Sequence, residues 1–228
     1  FVFIGQRRSI IREKQKSRKW LLSILPEETA KEFTAGGTVA IKKHENITVL
    51  FAQFQELTSI ASAVTLEKVV KEINDCFSAF DTIMAKYKIE KIRSNGSTYM
   101  AAGGLSKNNA NMPADVINAA IEIRSVMRFY KQNKLSMGEP FIEMRIGVHS
   151  GPAVSAMVGS AKFQFDIWGE AVDTAAHLAV SGEVGKINIS KSTHESVADK
   201  FLFVNHIKEN EPGKEAMNMY FVEGPVIV

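Results

Sequence analysis

The chain has 228 residues, 45% apolar and 23% charged, a length and balance that fit one globular domain with a real core and exclude a disordered or collagen-like chain. Its one cysteine, Cys76, cannot close an internal disulfide, which excludes a disulfide-stapled secreted fold and fits a reducing compartment. The net charge of +3 is unevenly spread: seven basic residues against Glu13 between Gln6 and Lys19 put +6 on that segment and leave −3 on the rest, so the globular part is mildly acidic and no nucleic-acid partner is expected.

The opening run Phe1-Val2-Phe3-Ile4 is far short of the ~20 residues a membrane-spanning helix needs. An apolar run followed by a basic cluster fits either the cytoplasmic exit of a membrane helix upstream of residue 1 or a solvated helix face, and both readings stand. Ser9 to Leu25 is predicted as a helix stopped by Pro26. Its apolar positions Ile4, Ile11, Leu21 and Leu25 follow a heptad only in part, a weak coiled-coil signal. Residues 1–25 therefore read as a linker helix and 26–228 as a domain.

A second helix runs from Glu27 to about Phe33, ending at Gly36-Gly37. Ile47 to Phe54 is a dense apolar, β-branched run, as expected of a central strand covered on both faces. Thr65 is an N-cap candidate for a long helix carrying Leu66, Val69, Val70, Ile73, Phe77, Phe80, Ile83 and Met84 at helical spacing. Lys88 to Ser94 and Thr98 to Leu105 read as strands joined at Asn95-Gly96, the strongest short hairpin signal. Pro113 opens a helix that ends near Lys131. Phe141–His149 and Ala153–Val158 are predicted as two strands split by Ser150-Gly151-Pro152. A helix over Glu170–Val180, a strand over Lys186–Ser190, a helix over Thr193–Lys200, and a closing pair, Phe201–Ile207 with Met217–Val222, complete the chain. The predicted class is α+β: a ferredoxin-like βαββαβ core extended by αβαββ and preceded by an N-terminal helix. A face of such a sheet left bare is commonly covered by a symmetric dimer.

Four blocks in this order carry a resemblance: Val49-Leu-Phe-Ala-Gln-Phe-Gln-Glu-Leu-Thr58, Glu90 to Gly104 around Asn-Gly-Ser-Thr-Tyr-Met, Arg145-Ile-Gly-Val-His-Ser-Gly-Pro152 and Phe165-Asp-Ile-Trp-Gly169. They resemble the class III adenylate/guanylate cyclase catalytic domain, over about Leu21 to Val222, and Leu21–Glu28 is similar to the helix preceding bacterial cyclase domains. The resemblance implies the cyclase fold, a signalling role for the N-terminal helix, and a reaction in which the ribose 3′-hydroxyl of ATP or GTP attacks the α-phosphate and releases pyrophosphate. It also implies two Mg²⁺ or Mn²⁺ ions held by two Asp carboxylates, since hard dications favour anionic oxygen.

At the positions that the resemblance assigns to those carboxylates this chain has Gln53 and Ser97. Neither supplies the charge, so no metal is expected unless the chain is active. The implied ribose-orienting Asn and transition-state Arg are replaced by Asp173 and His177; the first adds negative charge near a triphosphate, and the second lacks the forked guanidinium. Asp173 and His177 lie one helical turn apart without a third ligand, which reads as a surface or interface pair rather than a metal site. Lys91 and Asp166 match the pair that reads the adenine edge, and Lys214 the lysine that grips the polyphosphate. His149 reads as a satisfied core residue beside the Gly151-Pro152 turn.

The resemblance thus points to a silent or strongly impaired cyclase that dimerises, with itself or with another cyclase domain, and holds ATP. The alternative is a conditional adenylate cyclase making cyclic AMP and pyrophosphate, alone or as one side of a heterodimer. Whether the chain is an enzyme is left open at this stage. A cytoplasmic location is expected, including that of the cytosolic domain of a membrane-anchored receptor.

Overall fold

The β-branched run around Val49 becomes the interior of a long strand, β1 (Lys42–Phe54). The computed structural model describes residues 2–22, 24–55, 64–106, 112–159, 163–207 and 218–226. The other strands are β2 (Glu90–Asn95), β3 (Thr98–Gly103), β4 (Met144–Val158), β5 (Gln164–Trp168), β6 (Ile187–Ser190), β7 (Phe201–Ile207) and β8 (Asn218–Pro225). They hydrogen-bond in the order β2-β3-β1-β4-β6-β8-β7, with β5 on β4. β1 and β3 are antiparallel, β4 and β6 parallel, and β8 is antiparallel to both β6 and β7. Among the described residues the edges are therefore β2 and β7.

Two compact units emerge, Lys43–Val154 with Ile167–Val228, and Phe1–Lys42 with Ser155–Asp166. In the larger unit, one face of the sheet is buried under α3 (Leu66–Tyr87) and α4 (Met112–Ser136). Alternation along β1 sends Leu50, Ala52 and Phe54 into that core, leaving Phe51 and Gln53 half-buried on the opposite face. Helical spacing supplies the matching stripe, Val69, Phe80, Ile83 and Met84 from α3 and Val116, Ile117, Ala120 and Ile123 from α4. Thr65 caps α3 by accepting a hydrogen bond from the Lys68 amide, as its residue type predicts. Ion pairs between Lys86 and Glu122 and between Lys134 and Glu72 tie α3 to α4. Cys76 is buried in this layer, and desolvation pushes its thiol up to about 12, so it is an inert packing group.

A further helix, α5 (Glu170–Ser181), lies on the opposite face. It rests on Gly147: a Cβ there would stand 2.2 Å from the Ala175 carbonyl oxygen and 2.3 Å from the Ala179 nitrogen. Only the absence of a side chain lets the two backbones approach so closely. α6 (Lys191–Val197) begins at Ser190, whose hydroxyl accepts from the Thr193 amide.

In the smaller unit α1 (Val2–Leu22) and α2 (Glu27–Gly36) precede β1. Lys42 pairs with Glu32 at 2.6 Å, and Phe33 meets Phe163 edge-on at 5.5 Å between ring centres. Among the described residues no helix is long and apolar enough to cross a membrane.

Four sequence expectations shift. The first helix spans Val2–Leu22 rather than Ser9–Leu25, and Pro26 is the N-cap of α2, with the chain turned by Leu25 N–H donating to the Leu21 carbonyl. The segment predicted as two strands is one, β4, because Pro152 lies beyond the Ile146–Val148 stretch that pairs with β6, on exposed backbone where a missing N–H costs that ladder nothing. β5 was absent from the prediction: five residues with Asp166 at the centre show little strand periodicity. The hairpin turn is centred on Gly96-Ser97 rather than Asn95-Gly96, with Gly96 at φ 51° and Asn95 still paired with Thr98.

Candidate functional site

The β3 end of that hairpin meets the end of β1. Gln53 is in register with Thr98, and the Phe54 amide donates to the Ser97 carbonyl at 2.7 Å. The two positions that the resemblance assigns to metal carboxylates are therefore neighbours on one strand end, both half-buried. The local backbone turns tightly at Gly96, at φ 51°. The donor set, a neutral amide and a hydroxyl, does not fit a pair of hard dications. Among the described residues there is no group of three or more His, Cys, Asp or Glu side chains placed to hold a metal ion.

On the same face of the sheet, α5 presents Asp173 and His177 as exposed side chains one turn apart. The helix starts at Gly169, at φ 124°, with no side-chain cap. Glu170 and Asp173 occupy its first turn, where the helix dipole favours negative charge. That gives Asp173 a structural reason to be acidic. His177 Nε2 lies 3.2 Å from the Ser181 hydroxyl, so this ring nitrogen already has a local partner. Trp168, Val180 and Val184 expose 41%, 56% and 40% of their surface, an apolar fringe around the helix.

Lys91 is engaged within its own unit. Its ammonium donates to Asp81 Oδ2 at 2.9 Å and stands 5.2 Å from the centre of the Tyr99 ring, while the Tyr99 hydroxyl donates to Asp81 Oδ1 at 2.7 Å. Burial and the Asp81 carboxylate both raise the Tyr99 pKa, keeping the phenol protonated as the donor. Asp81 is a residue that sequence reasoning missed. It lies on α3 and reaches Lys91 only through the fold, although its spacing from Phe77 and Met84 could have marked the helix face it shares. For Lys91 to read a base, its ammonium would have to leave Asp81. Asp166 is buried on β5, and Lys214 lies outside the described residues.

His149 is buried, but not simply satisfied. Its Nδ1 lies 2.7 Å from the Ser190 hydroxyl, whereas Nε2 is buried without a partner among the described residues. The ring borders a network of hydroxyls: Ser190 to Thr193 at 3.0 Å, Thr193 to Ser150 at 3.2 Å and Ser150 to Thr48 at 2.9 Å. It fastens β1, β4 and the start of α6 together. Desolvation lowers the His149 pKa, opposed by the charge of Glu170. A Cβ on Gly151 would stand 2.8 Å from Nε2, so glycine makes room for the ring.

The family model described as the adenylate and guanylate cyclase catalytic domain matches residues 39–224. Retinal guanylyl cyclase 2 of Homo sapiens is 32% identical over 182 residues, 79% of this chain and 16% of that protein. An adenylate cyclase of Mycobacterium tuberculosis (strain ATCC 25618 / H37Rv) is 27% identical over 213 residues, 93% of this chain and 47% of that protein. This chain thus spans less than half the length of either relative. The solved guanylate cyclase domain of RhGC from Catenaria anguillulae, in complex with GTP, superposes with a TM-score of 0.73 at 24% identity, covering 81% of this chain and 100% of that one, a likeness of fold. A family match spanning β1 to β8, on a sheet of the same fold, leads to one assignment: the chain belongs to the adenylate/guanylate cyclase catalytic domain family.

Proposed function

We propose that this domain is a silent or strongly impaired cyclase that dimerises and holds ATP as a ligand in cyclic-nucleotide signalling. The observation that carries the reading is that Gln53, in register with Thr98, and Ser97, whose carbonyl accepts from the Phe54 amide, stand side by side where β1 ends against the hairpin. Neutral groups stand where the family's reaction needs two anions to gather the dications that acidify the 3′-hydroxyl and absorb phosphoryl charge. Asp173 adds a repulsive charge, and His177 is engaged with Ser181. In this reading Lys91 and Asp166 retain an adenine preference, and Lys214 contacts the polyphosphate. The apolar fringe of Trp168, Val180 and Val184 contributes to the dimer surface. Residues 1–25 link the domain to an upstream sensor or membrane tether on the cytosolic side, and residues 26–228 form the cyclase homology domain.

The test is cyclic nucleotide formation by the purified chain with ATP, and separately GTP, in Mn²⁺ across a protein concentration series. The wild-type chain is expected to give no product while binding ATP in calorimetry. The variant Gln53→Asp, Ser97→Asp, Asp173→Asn, His177→Arg is expected to gain at least about 10²-fold over that background, in line with the usual worth of a single charge-stabilising group. Cyclic AMP formed by the wild type in proportion to dimer overturns silence and selects a conditional adenylate cyclase. A persistent dimer without nucleotide binding selects a purely structural dimerisation module.

A further inference from the structure

A cavity of about 240 Å³ lies against the C-terminal half of α4. It is bounded by the first residues of β4 and by the turn Val184-Gly185-Lys186 that joins α5 to β6, and it includes none of the residues assigned above to nucleotide chemistry. Four cations border it, Arg124, Arg128, Lys131 and Lys186, against the single carboxylate of Glu143.

Two of these charges are already answered. Lys131 is paired with Glu143, and Lys186 lies 5.2 Å from the Phe221 ring centre and 3.8 Å from Glu223. The other two are not. Arg124 is buried and donates only to neutral acceptors, the backbone carbonyls of Val222 at 2.6 Å and Glu223 at 2.7 Å. Arg128 makes no hydrogen bond or ion pair among the described residues; burial first and the Arg128 charge second lower the pKa of Arg124, against the charge of Glu223. Two guanidinium groups therefore repel each other at the cavity wall with no carboxylate in ion-pair contact among the described residues, the charge of Glu223 favouring Arg124 only from a distance. An anion there would relieve the repulsion, and guanidinium is the cation best shaped to hold a carboxylate by two parallel bonds. The rest of the lining is apolar, with Met127, Phe141, Met144 and Ile146 as the main surfaces.

We propose that this cavity is a regulatory binding site for a small organic carboxylate with an apolar body. The size argues for a body of one ring: a cavity of about 150 Å³ is known to accept benzene, and 240 Å³ adds room for a short acid arm. With Lys131 and Glu143 already paired and the rest of the lining apolar, a monoanion on an apolar body fits better than a phosphate ester. A bound ligand would bridge α4 to the turn behind α5, the helix that carries Asp173 and His177, and so links an effector to the catalytic face of the family fold without entering it.

Phenylacetate is the probe, titrated into the full chain by thermal shift and by ligand-observed NMR. At about 100 times Kd it is expected to raise Tm by about 5–10 °C, with phenylacetamide and inorganic phosphate each at least about tenfold weaker. Arg128→Gln, at an exposed site, is expected to weaken phenylacetate about tenfold without lowering the Tm of the free protein. Val184→Trp, which fills the mouth, is expected to abolish binding. No saturable binding by about 20 mM overturns the site. So does equal affinity for the amide or for phosphate, or unchanged affinity in both variants.

Discussion

At His149 burial and hydrogen bonding act on one ring in ways that separate with pH. The folded pKa is depressed by desolvation, so the unfolded chain takes up a proton that the folded chain resists. The stability this neutral ring supports is complete above about pH 6.5, the unfolded value, and is lost as pH falls from there towards the folded value. Tm is expected to be level near pH 7.5 and to drop by about 2–5 °C by pH 5.5. In His149→Gln, whose amide can still meet Ser190, that drop should be much shallower. Thermal melts of both proteins across this range check the sign, and parallel profiles would show that His149 is not the titrating group. The sequence placed His149 in the core on residue type alone. That Nε2 would be left without a partner among the described residues depends on Ser190, forty-one positions away, and on Gly151 making space. The same limit hid Asp81 as the partner of Lys91, whereas Gln53 and Ser97 could be singled out because each stands within a short contiguous block, and Asp173 and His177 because they follow the Phe165–Gly169 block at a fixed count.

Elements whose signals are local emerged close to expectation: β1 from its β-branched run, α3 from its stripe and its Thr65 cap, and the β2–β3 hairpin from its Asn-Gly signal, with the turn one residue further on at Gly96-Ser97. Elements governed by partners did not. Pro152 reads as a break until β6 is seen to end its pairing before it, and β5 exists as a strand because β4 is long enough to receive it. α5 shows how much one position can control. Its backbone sits on Gly147 with no space for a methyl group and no flexible side chain able to yield. Gly147→Ala is expected to cost more than about 3 kcal/mol, beyond the usual overpacking penalty because backbone must move. The corresponding fall in Tm is about 6 °C or more for a chain of this size, with the loss readable by calorimetry. A fall below about 2 °C would mean that α5 can slide on the sheet. Since Asp173 and His177 ride on this helix, Gly147 also governs where they are presented.

For the molecule as a whole, charge and topology divide differently along the chain. The net positive charge is drawn into residues 6–19, while the rest is mildly acidic, so solubility of the sheet-bearing part depends on how its margins are finished. The β2 margin carries Glu90, Lys91 and Arg93 and is interrupted by a bulge between Lys91 and Arg93, the usual means of discouraging a second sheet. The β7 margin has a bulge between Leu202 and Phe203, but Leu202 and Val204 expose 56% and 50% of their surface, and no Lys, Arg, Asp or Glu interrupts Phe201–Ile207. Concentrated stocks should therefore age from one side, strand adding to strand along β7, and Leu202→Lys should slow the growth of light scattering on storage at least severalfold with little change in Tm. The sheet has one guarded shore and one open harbour, and the shelf life of the purified protein is set by the second.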